Sequence, residues 1–206
     1  VAGAVHRRLR LRARRDLLLG VRCDDSRVGQ RVYVRVLHAR RGARLDHRLA
    51  VEAISRWWQD HGHLAYPQAT RLLILADAGG SNGYRPRLWK AQLQGQLSDV
   101  RGLSLTVCHY PTGCSKWNPI EHRLFSHISL NWAGQPLRTL ETMRSLIRGT
   151  TTQTGLKVSA HVLEGLFETG KKVSDAVMRT LNLTRHAICP QWNYTIRPRL
   201  DHAPSP

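Results

Sequence analysis

The chain has no apolar run that approaches the length of a membrane span and no stretch with the long apolar core of a secretory leader. It also has no CxxC motif. These absences argue against a membrane-spanning or secreted protein, and we expect a soluble, cytoplasmic chain with no membrane partner. Its thiols are expected to stay reduced. The four cysteines are Cys23, Cys108, Cys114 and Cys189.

Acidic residues are scarce. The chain has 14 Asp and Glu against 32 Lys and Arg, so its formal net charge is +18. A field of that sign attracts polyanions, and nucleic acid is the commonest such partner. A membrane surface, ribosomal association and a bias of composition are the alternatives that charge alone leaves open. A length of 206 residues is within the usual range for one compact domain.

Cysteine and histidine lack the spacing of a familiar zinc site. Five of them lie close together in the middle of the chain, but one of the cysteines falls in a strand pattern, where a buried thiol is common. A zinc site is therefore disfavoured. The five residues are Cys108, His109, Cys114, His122 and His127.

Composition changes near residue 49. Residues 1–48 contain 14 arginines and no lysine, with one short alternating piece, YVRV, that resembles a strand. Three interpretations stay open: an arm that binds DNA phosphates, a solvated and weakly folded segment, or a sequence translated out of frame. We therefore divide the chain into a poorly ordered or out-of-frame segment 1–48, a regular domain 49–198, and a disordered tail 199–206.

The regular domain alternates helical and strand patterns. LAVEAISRWWQDHG has helical spacing with Gly62 as its stop, and RLLILAD is a continuous apolar run typical of a strand buried on both faces. A helix follows over YRPRLWKAQLQGQLSDV, then the strand LSLTVCHY and a helix with Pro119 in its first turn. This order predicts an α/β fold with parallel strands joined by right-handed crossovers.

The sequence patterns that predict the remaining helices and strands are weaker. The pattern predicts a helix over about 139–149, a strand or hairpin arm at LKVSAHVL, and a short helix capped by Ser174. WNYTIRP is expected to end the ordered part.

Two carboxylates follow the two central strands. Asp77 ends the first apolar run, and Glu121 lies early in the helix after the second, with 43 residues between them. The carboxyl ends of parallel strands share one edge of a sheet, so both side chains could converge there. A divalent cation such as Mg²⁺ takes oxygen ligands, often one or two carboxylates. Alternatively, Asp77 is a turn residue and Glu121 compensates the helix dipole.

The loop before Glu121 is rich in groups that suit DNA. Basic and polar side chains there could hold phosphates, and a tryptophan could stack on a base, although a structural role for the histidine is also open. The glycine-rich AGGSNG after Asp77 could cradle a phosphate, but it lacks the ending of a nucleotide-binding loop. The candidate DNA-binding residues are Lys116, Trp117, Asn118, His122 and Arg123.

Several blocks, in one order, carry a family signature: LLILADAGGSNGYRPRLWK, CHYPTGCSKWNPIEHRLFSHISLNWAG, TTTQTGLKV, KKVSDAVM and WNYTIRP. They resemble DDE transposases of bacterial insertion sequences, specifically the Rhodopirellula-type transposase family, from about Leu49 to Pro198. NPIEH is also similar to the glutamate motif of mariner-like transposases. The resemblance implies an RNase H-like mixed sheet flanked by helices and a two-metal site of Asp, Asp and Glu that uses Mg²⁺ or Mn²⁺. Asp77 matches the second aspartate and Glu121 the glutamate.

The resemblance also implies what the chain does and with what. We expect metal-dependent DNA cleavage and strand transfer in insertion-sequence transposition, on element ends and target DNA, by a nucleoid-associated bacterial protein. Self-association is left open.

The first aspartate of the motif is not matched. Counting back from the helix at Leu49 leads near Gln30, and the nearby acids Asp24, Asp25 and Asp46 lie in no matching motif. The first strands of the sheet and an N-terminal DNA-binding region are therefore expected to be incomplete or missing. The chain is interpreted as a truncated, degenerate transposase with two of three catalytic acids. The alternative is a basic nucleic-acid-binding protein without catalysis.

Overall fold

The structure is a computed structural model that describes residues 15–23, 31–37, 47–79, 82–114, 117–118, 121–153, 155–164 and 171–199. Its strands are β1 (Arg15–Cys23), β2 (Arg31–Leu37), β3 (Arg71–Asp77), β4 (Ser104–Tyr110), β5 (Lys157–Glu164), β6 (Leu183–Arg185) and β7 (Asn193–Ile196). Its helices are α1 (His47–Trp57), α2 (His63–Ala65), α3 (Arg87–Gln92), α4 (Asp99–Arg101), α5 (Ser126–Asn131), α6 (Leu140–Arg148) and α7 (Asp175–Arg179). π-Helical turns occupy Trp58–Gly62, Leu93–Ser98 and Glu121–Phe125.

The central element is a mixed four-stranded sheet with strand order β3-β4-β7-β6. β3 and β4 are parallel, with Asp77 opposite Tyr110, whereas β7 is antiparallel to both β4 and β6. Helices pack against this sheet, as expected of an α/β, RNase H-like fold. The parallel pairing of these strands is as predicted, and it brings the carboxyl ends of β3 and β4 to one edge.

One face of the four-stranded sheet carries the larger hydrophobic core. Inward positions alternate along β4 and β7, so that Leu105, Val107, Tyr194 and Ile196 are fully buried. Burying a large apolar side chain of this kind contributes about 1.5–3 kcal/mol. The helices supply the opposing layer with apolar residues three or four positions apart, chiefly Ala50, Val51, Trp57, Trp58, Trp89, Leu93 and Leu97.

A second core lies between α5, α6 and β5. Leu124, Ile128 and Ile147 are almost completely buried there, next to Ala160 of β5. α6 begins as predicted, with Thr139 accepting a hydrogen bond from the Thr142 amide at 3.0 Å. β5 belongs to an antiparallel sheet of order β2-β1-β5.

The arginine-rich segment contributes two of those three strands. β1 pairs with β5 from Arg15–Glu164 to Arg22–Lys157, and β2 adds on the other side of β1. The alternating piece at Tyr33 is therefore a strand, as its pattern indicates. The interpretation of 1–48 as out-of-frame text stays a prediction, and much of that segment lies outside the described residues.

Two sequence predictions were wrong in detail. β3 is not buried on both faces, because nothing in the described part of the chain covers its outer face, where Leu73 and Leu75 are 59% and 51% exposed. Gly62 does not stop the first helix, since the chain stays helical to Ala65, and Gly62 instead lies against Trp58. WNYTIRP lies near the end of the described residues, and its NYTI segment forms β7, an interior strand of the sheet.

The end of the described chain is anchored. Arg199, which the sequence placed in the tail, donates hydrogen bonds to Asp99, while residues 200–206 lie outside the described part. Ser174 caps α7 by accepting from the Val177 amide at 3.3 Å. Within the described ranges, no helix is long and apolar enough to span a bilayer.

Candidate active site

A cleft of about 360 Å³ lies at the carboxyl ends of β3 and β4. One wall comes from the turn after β3, including Asp77 and Gly79, and the other from the loop after β4, around Pro111. Tyr84 and Arg85, which precede α3, complete the lining. Because parallel strands leave their ends at a shared edge, this is the position where an α/β sheet binds a ligand. The cleft therefore lies at the sheet edge to which Asp77 belongs.

Asp77 is half-buried in this cleft, and among the described residues no hydrogen bond or ion pair engages its carboxylate. Arg85 lines the same cleft. Its Nε donates to the Tyr84 hydroxyl at 2.9 Å, and its guanidinium lies 5.2 Å from the centre of the Tyr84 ring. Tyr84 thus holds the Arg85 cation in the lining of the cleft.

A hydrogen bond from the buried side chain of His109 fixes the main chain at Asp77. The ring Nδ1 of His109 donates to the carbonyl oxygen of Asp77 at 3.1 Å, and its Nε2 lies 3.4 Å from the Tyr194 hydroxyl. Trp89 donates from Nε1 to the same hydroxyl at 2.9 Å. A neutral His109, protonated at Nδ1, can accept a hydrogen bond from the Tyr194 hydroxyl. Every polar group of this buried hydrogen-bond network then has a partner.

Burial determines the protonation states of His109 and Tyr194. It lowers the pKa of His109, and the nearby Lys90 cation lowers it further, although the Asp77 carbonyl and carboxylate favour the charged ring. Burial likewise raises the pKa of Tyr194 well above its usual value. The neutral forms that the hydrogen bonds require are therefore also the forms that burial favours.

Lys90 is a buried cation next to the hydrogen-bond network of His109, Tyr194 and Trp89. Its Nζ donates to the carbonyl oxygen of Tyr84 at 2.5 Å and lies 5.5 Å from the centre of the Tyr194 ring. Burial, helped by Arg185, lowers the pKa of Lys90 to about 8. Lys90 therefore ties the Tyr84 segment of the cleft to the core beneath it.

Glu121 starts the π-helical turn that follows the loop after β4. Its side chain lies outside the described part of the structure, as does Lys116. Trp117 is 69% exposed, His122 is exposed, and Asn118 and Arg123 are half-buried. The convergence of Asp77 and Glu121 therefore stays a prediction, while an exposed indole in the loop is consistent with a base-stacking role.

The opposite end of the sheet holds a second aspartate, Asp99, which is buried. The Asp99 carboxylate accepts from the Arg199 amide at 3.0 Å, from its side chain at 3.0 and 2.6 Å, and from Gln94 at 2.7 Å. Burial alone would raise the pKa of Asp99, but these hydrogen bonds and the Arg199 charge hold it below its usual value. Asp99 is thus a structural residue.

Sequence reasoning missed the buried network of side chains formed by His109, Tyr194, Trp89 and Lys90. His109 could have been found, because positions 105, 107 and 109 alternate inward along β4. No local signal marked Lys90, which lies beside Trp89 on a helix of mixed composition. Its burial follows from the distant strand β7.

The donor chemistry of the cleft fits a divalent cation only in part. The Asp77 carboxylate, which none of the described residues engages, is a suitable hard oxygen ligand. Among the described residues, however, no three His, Cys, Asp or Glu side chains lie together as a metal site would need. An ion at this cleft therefore requires Asp77 together with a ligand outside the described side chains.

The model of the Rhodopirellula transposase DDE domain family matches residues 30–198 of the chain. The match covers most of the sequence, and the chain belongs to this family of DDE transposases. It begins at residue 30, earlier than the resemblance near Leu49 indicated, and so includes β2. No curated protein and no solved structure shows a significant match.

Proposed function

We propose that this chain is the catalytic domain of an insertion-sequence transposase that cleaves and joins DNA strands with a divalent cation, Mg²⁺ or Mn²⁺. The observation that carries the proposal is the position of the Asp77 carboxylate. Its carboxylate lies in an open cleft at the carboxyl end of β3, and no described residue engages it. A half-buried carboxylate without a cation is unfavourable, so a metal ligand is the role that suits its position.

The proposed metal ligands are Asp77 and Glu121. When bound, the cation would lower the pKa of an attacking water or 3′ hydroxyl and stabilise the charge that develops on the phosphodiester. Arg85 would bind a phosphate at the cleft, and His109 would hold the Asp77 main chain. Lys116, Trp117, Asn118, His122 and Arg123 would position the DNA strand.

The missing first aspartate is part of this proposal. Asp24, Asp25 and Asp46 are the candidates for a third ligand, and all three lie outside the described residues. We infer a degenerate enzyme with weak metal affinity unless one of them completes the site. Translating the coding DNA across residues 1–50 in three frames tests this, because a frame that restores a strand with an aspartate indicates a frameshift.

The functional test is nicking of supercoiled plasmid by the purified chain with Mg²⁺, with Mn²⁺ and with EDTA. We expect metal-dependent nicking that Asp77→Asn and Glu121→Gln each reduce at least about a hundredfold. Asp60→Asn and Glu141→Gln are matched controls, since both acids are exposed and lie outside the cleft. Nicking that survives both cleft substitutions would contradict the site assignment.

A second candidate function is DNA binding without catalysis. It is favoured by the net charge of +18 and by the exposed Trp117. It predicts sequence-indifferent binding in EDTA whose affinity falls steeply with salt, and no nicking with any metal. Binding that is insensitive to salt would count against it.

A further inference from the structure

Exposed cations extend from the cleft along the start of α3. Arg85 lines the cleft, and Arg87 begins α3 two residues further on. Both residues are exposed. Two residues of chain span at most about 7 Å, so the main-chain positions of the two arginines are no further apart than that. The positive charge of the cleft lining therefore continues onto the adjacent surface.

Arg87 connects the start of α3 to the segment that precedes α7. Its Nη1 donates a hydrogen bond to the carbonyl oxygen of Val173 at 3.3 Å and forms an ion pair with the Asp175 carboxylate at 2.5 Å. Lys171 and Lys172 directly precede Val173, and both lysines are exposed. The contact between Arg87 and Val173, across 86 residues of chain, thus brings two further cations beside the start of α3.

These four cations form a surface that we call the basic track: Arg85, Arg87, Lys171 and Lys172. Asp175 is the acid that the described contacts place in it, so four cations and one carboxylate leave a charge of +3. The side chains of Arg87 and Asp175 are 52% and 71% exposed, and an exposed ion pair stabilises a fold only slightly. Neighbouring like charges oppose folding. The charge of the basic track is therefore not explained by stability, which points to an anionic partner.

We propose that the basic track binds the phosphodiester backbone of DNA beyond the cleft, with Arg87, Lys171 and Lys172 holding the phosphates that flank the reacting one. The inference rests on the proposed function in taking DNA as the ligand. A row of exposed cations suits the regular row of phosphates along a DNA strand, and such contacts position the duplex without reading its sequence. The DNA-binding residues that the sequence predicted follow β4, so the basic track adds contacts on the side of α3.

Asp175 distinguishes DNA binding from a purely structural role of Arg87. Its carboxylate offsets the Arg87 charge and repels a phosphate on the basic track. Asp175→Asn removes that charge and keeps the shape of the side chain, so it should tighten DNA binding. If Arg87 acted only by docking α7 on α3, the same substitution would break the ion pair and bring no gain in binding.

The test is fluorescence anisotropy of a labelled DNA duplex of about 20 base pairs with the full chain, in EDTA and at several salt concentrations. We expect Lys171→Gln/Lys172→Gln to weaken binding about tenfold. It should also reduce the slope of log affinity against log salt by about 2, because each lysine neutralises one phosphate. Asp175→Asn should tighten binding about two- to threefold.

Arg138→Gln/Arg148→Gln is the matched control, because it removes the same charge from exposed arginines at the two ends of α6. Circular dichroism checks that each variant is folded. An equal loss in the control, an unchanged salt slope in the lysine variant, or binding by Asp175→Asn no tighter than wild type would each overturn the proposal. Plasmid nicking is measured separately. A chain that shows these binding changes but never nicks has the basic track without the proposed catalysis.

Discussion

Asp77 and Asp99 lie near opposite ends of the parallel strand pair and have opposite surroundings. Asp99 has a side chain that is 2% exposed and accepts four hydrogen bonds, three of them from Arg199. Asp77 lies in an open cleft where no described residue engages its carboxylate. A buried carboxylate with all its partners holds the fold together, whereas one without partners is available to a ligand. The sheet thus has a closed end and an open end.

The largest expected difference between the two ends is in stability. Asp99→Ala leaves the Gln94 amide and the Arg199 cation without their acceptor, and we expect it to lower the free energy of unfolding by about 3 kcal/mol. Asp77→Ala should change it by less than about 0.5 kcal/mol. Urea unfolding followed by circular dichroism measures both. Equal effects at the two positions would remove the distinction between the ends.

A smaller effect is expected from Lys90, beneath the open end. Its pKa falls from 10.5 to about 8 in the folded chain, so the unfolded chain binds more protons between these values. Stability should therefore rise by roughly 1–2 kcal/mol from pH 8 to pH 9.5. Lys90→Met should abolish most of this rise, and Lys171→Met, at an exposed lysine, should not. Thermal unfolding across this pH range provides the measurement.

At the closed end, lowering the pH should also reduce stability, but in the acid range. The folded pKa of Asp99 is lowered, so its stabilisation is present above the unfolded value of about 4 and is lost as the pH falls through the folded value. Between pH 5 and pH 3 we expect the stability advantage of the wild type over Asp99→Asn to shrink by about 1 kcal/mol. Melting temperatures of the two proteins at several pH values test this. An advantage that is constant with pH would show that the Asp99 charge contributes nothing.

The smallest expected effect concerns Arg85 at the open end. If its guanidinium neutralises one DNA phosphate, Arg85→Ala should weaken binding about threefold and reduce the slope of log affinity against log salt by about 1. Fluorescence anisotropy with a labelled duplex at several salt concentrations measures both quantities. Arg148→Ala, at an exposed arginine on α6, is the comparison, and an equal loss there would mean that Arg85 contributes only general charge.

Much of the fold could be predicted because its signals are local. The apolar runs at Arg71–Asp77 and Ser104–Tyr110, separated by a helix, predicted two adjacent parallel strands, and the structure pairs them in that way. Capping by Ser174 involves residues three positions apart, so it too could be predicted locally. The position of Asp77 at the carboxyl end of a strand followed from the same reasoning.

What the sequence could not reveal concerns long-range packing. NYTI has the composition of any short strand, and only its insertion beside β4 makes Tyr194 and Ile196 part of the core. An apolar run such as RLLILAD does not reveal whether other elements cover both of its faces. The exposure of Leu73 and Leu75 depends on which described elements pack over the outer face of β3, which is not a property of the run itself.

The sequence by itself therefore determined the family, the order of the central elements and the edge of the sheet to which Asp77 belongs, because periodicity and motif order are properties of neighbouring residues. The tertiary structure alone decided which charged groups are satisfied. His109 meets Tyr194 across 85 residues, Trp89 meets it across 105, and Arg199 meets Asp99 across 100. Such contacts depend on how distant segments pack, and it is this packing that closes one end of the sheet and leaves the other open.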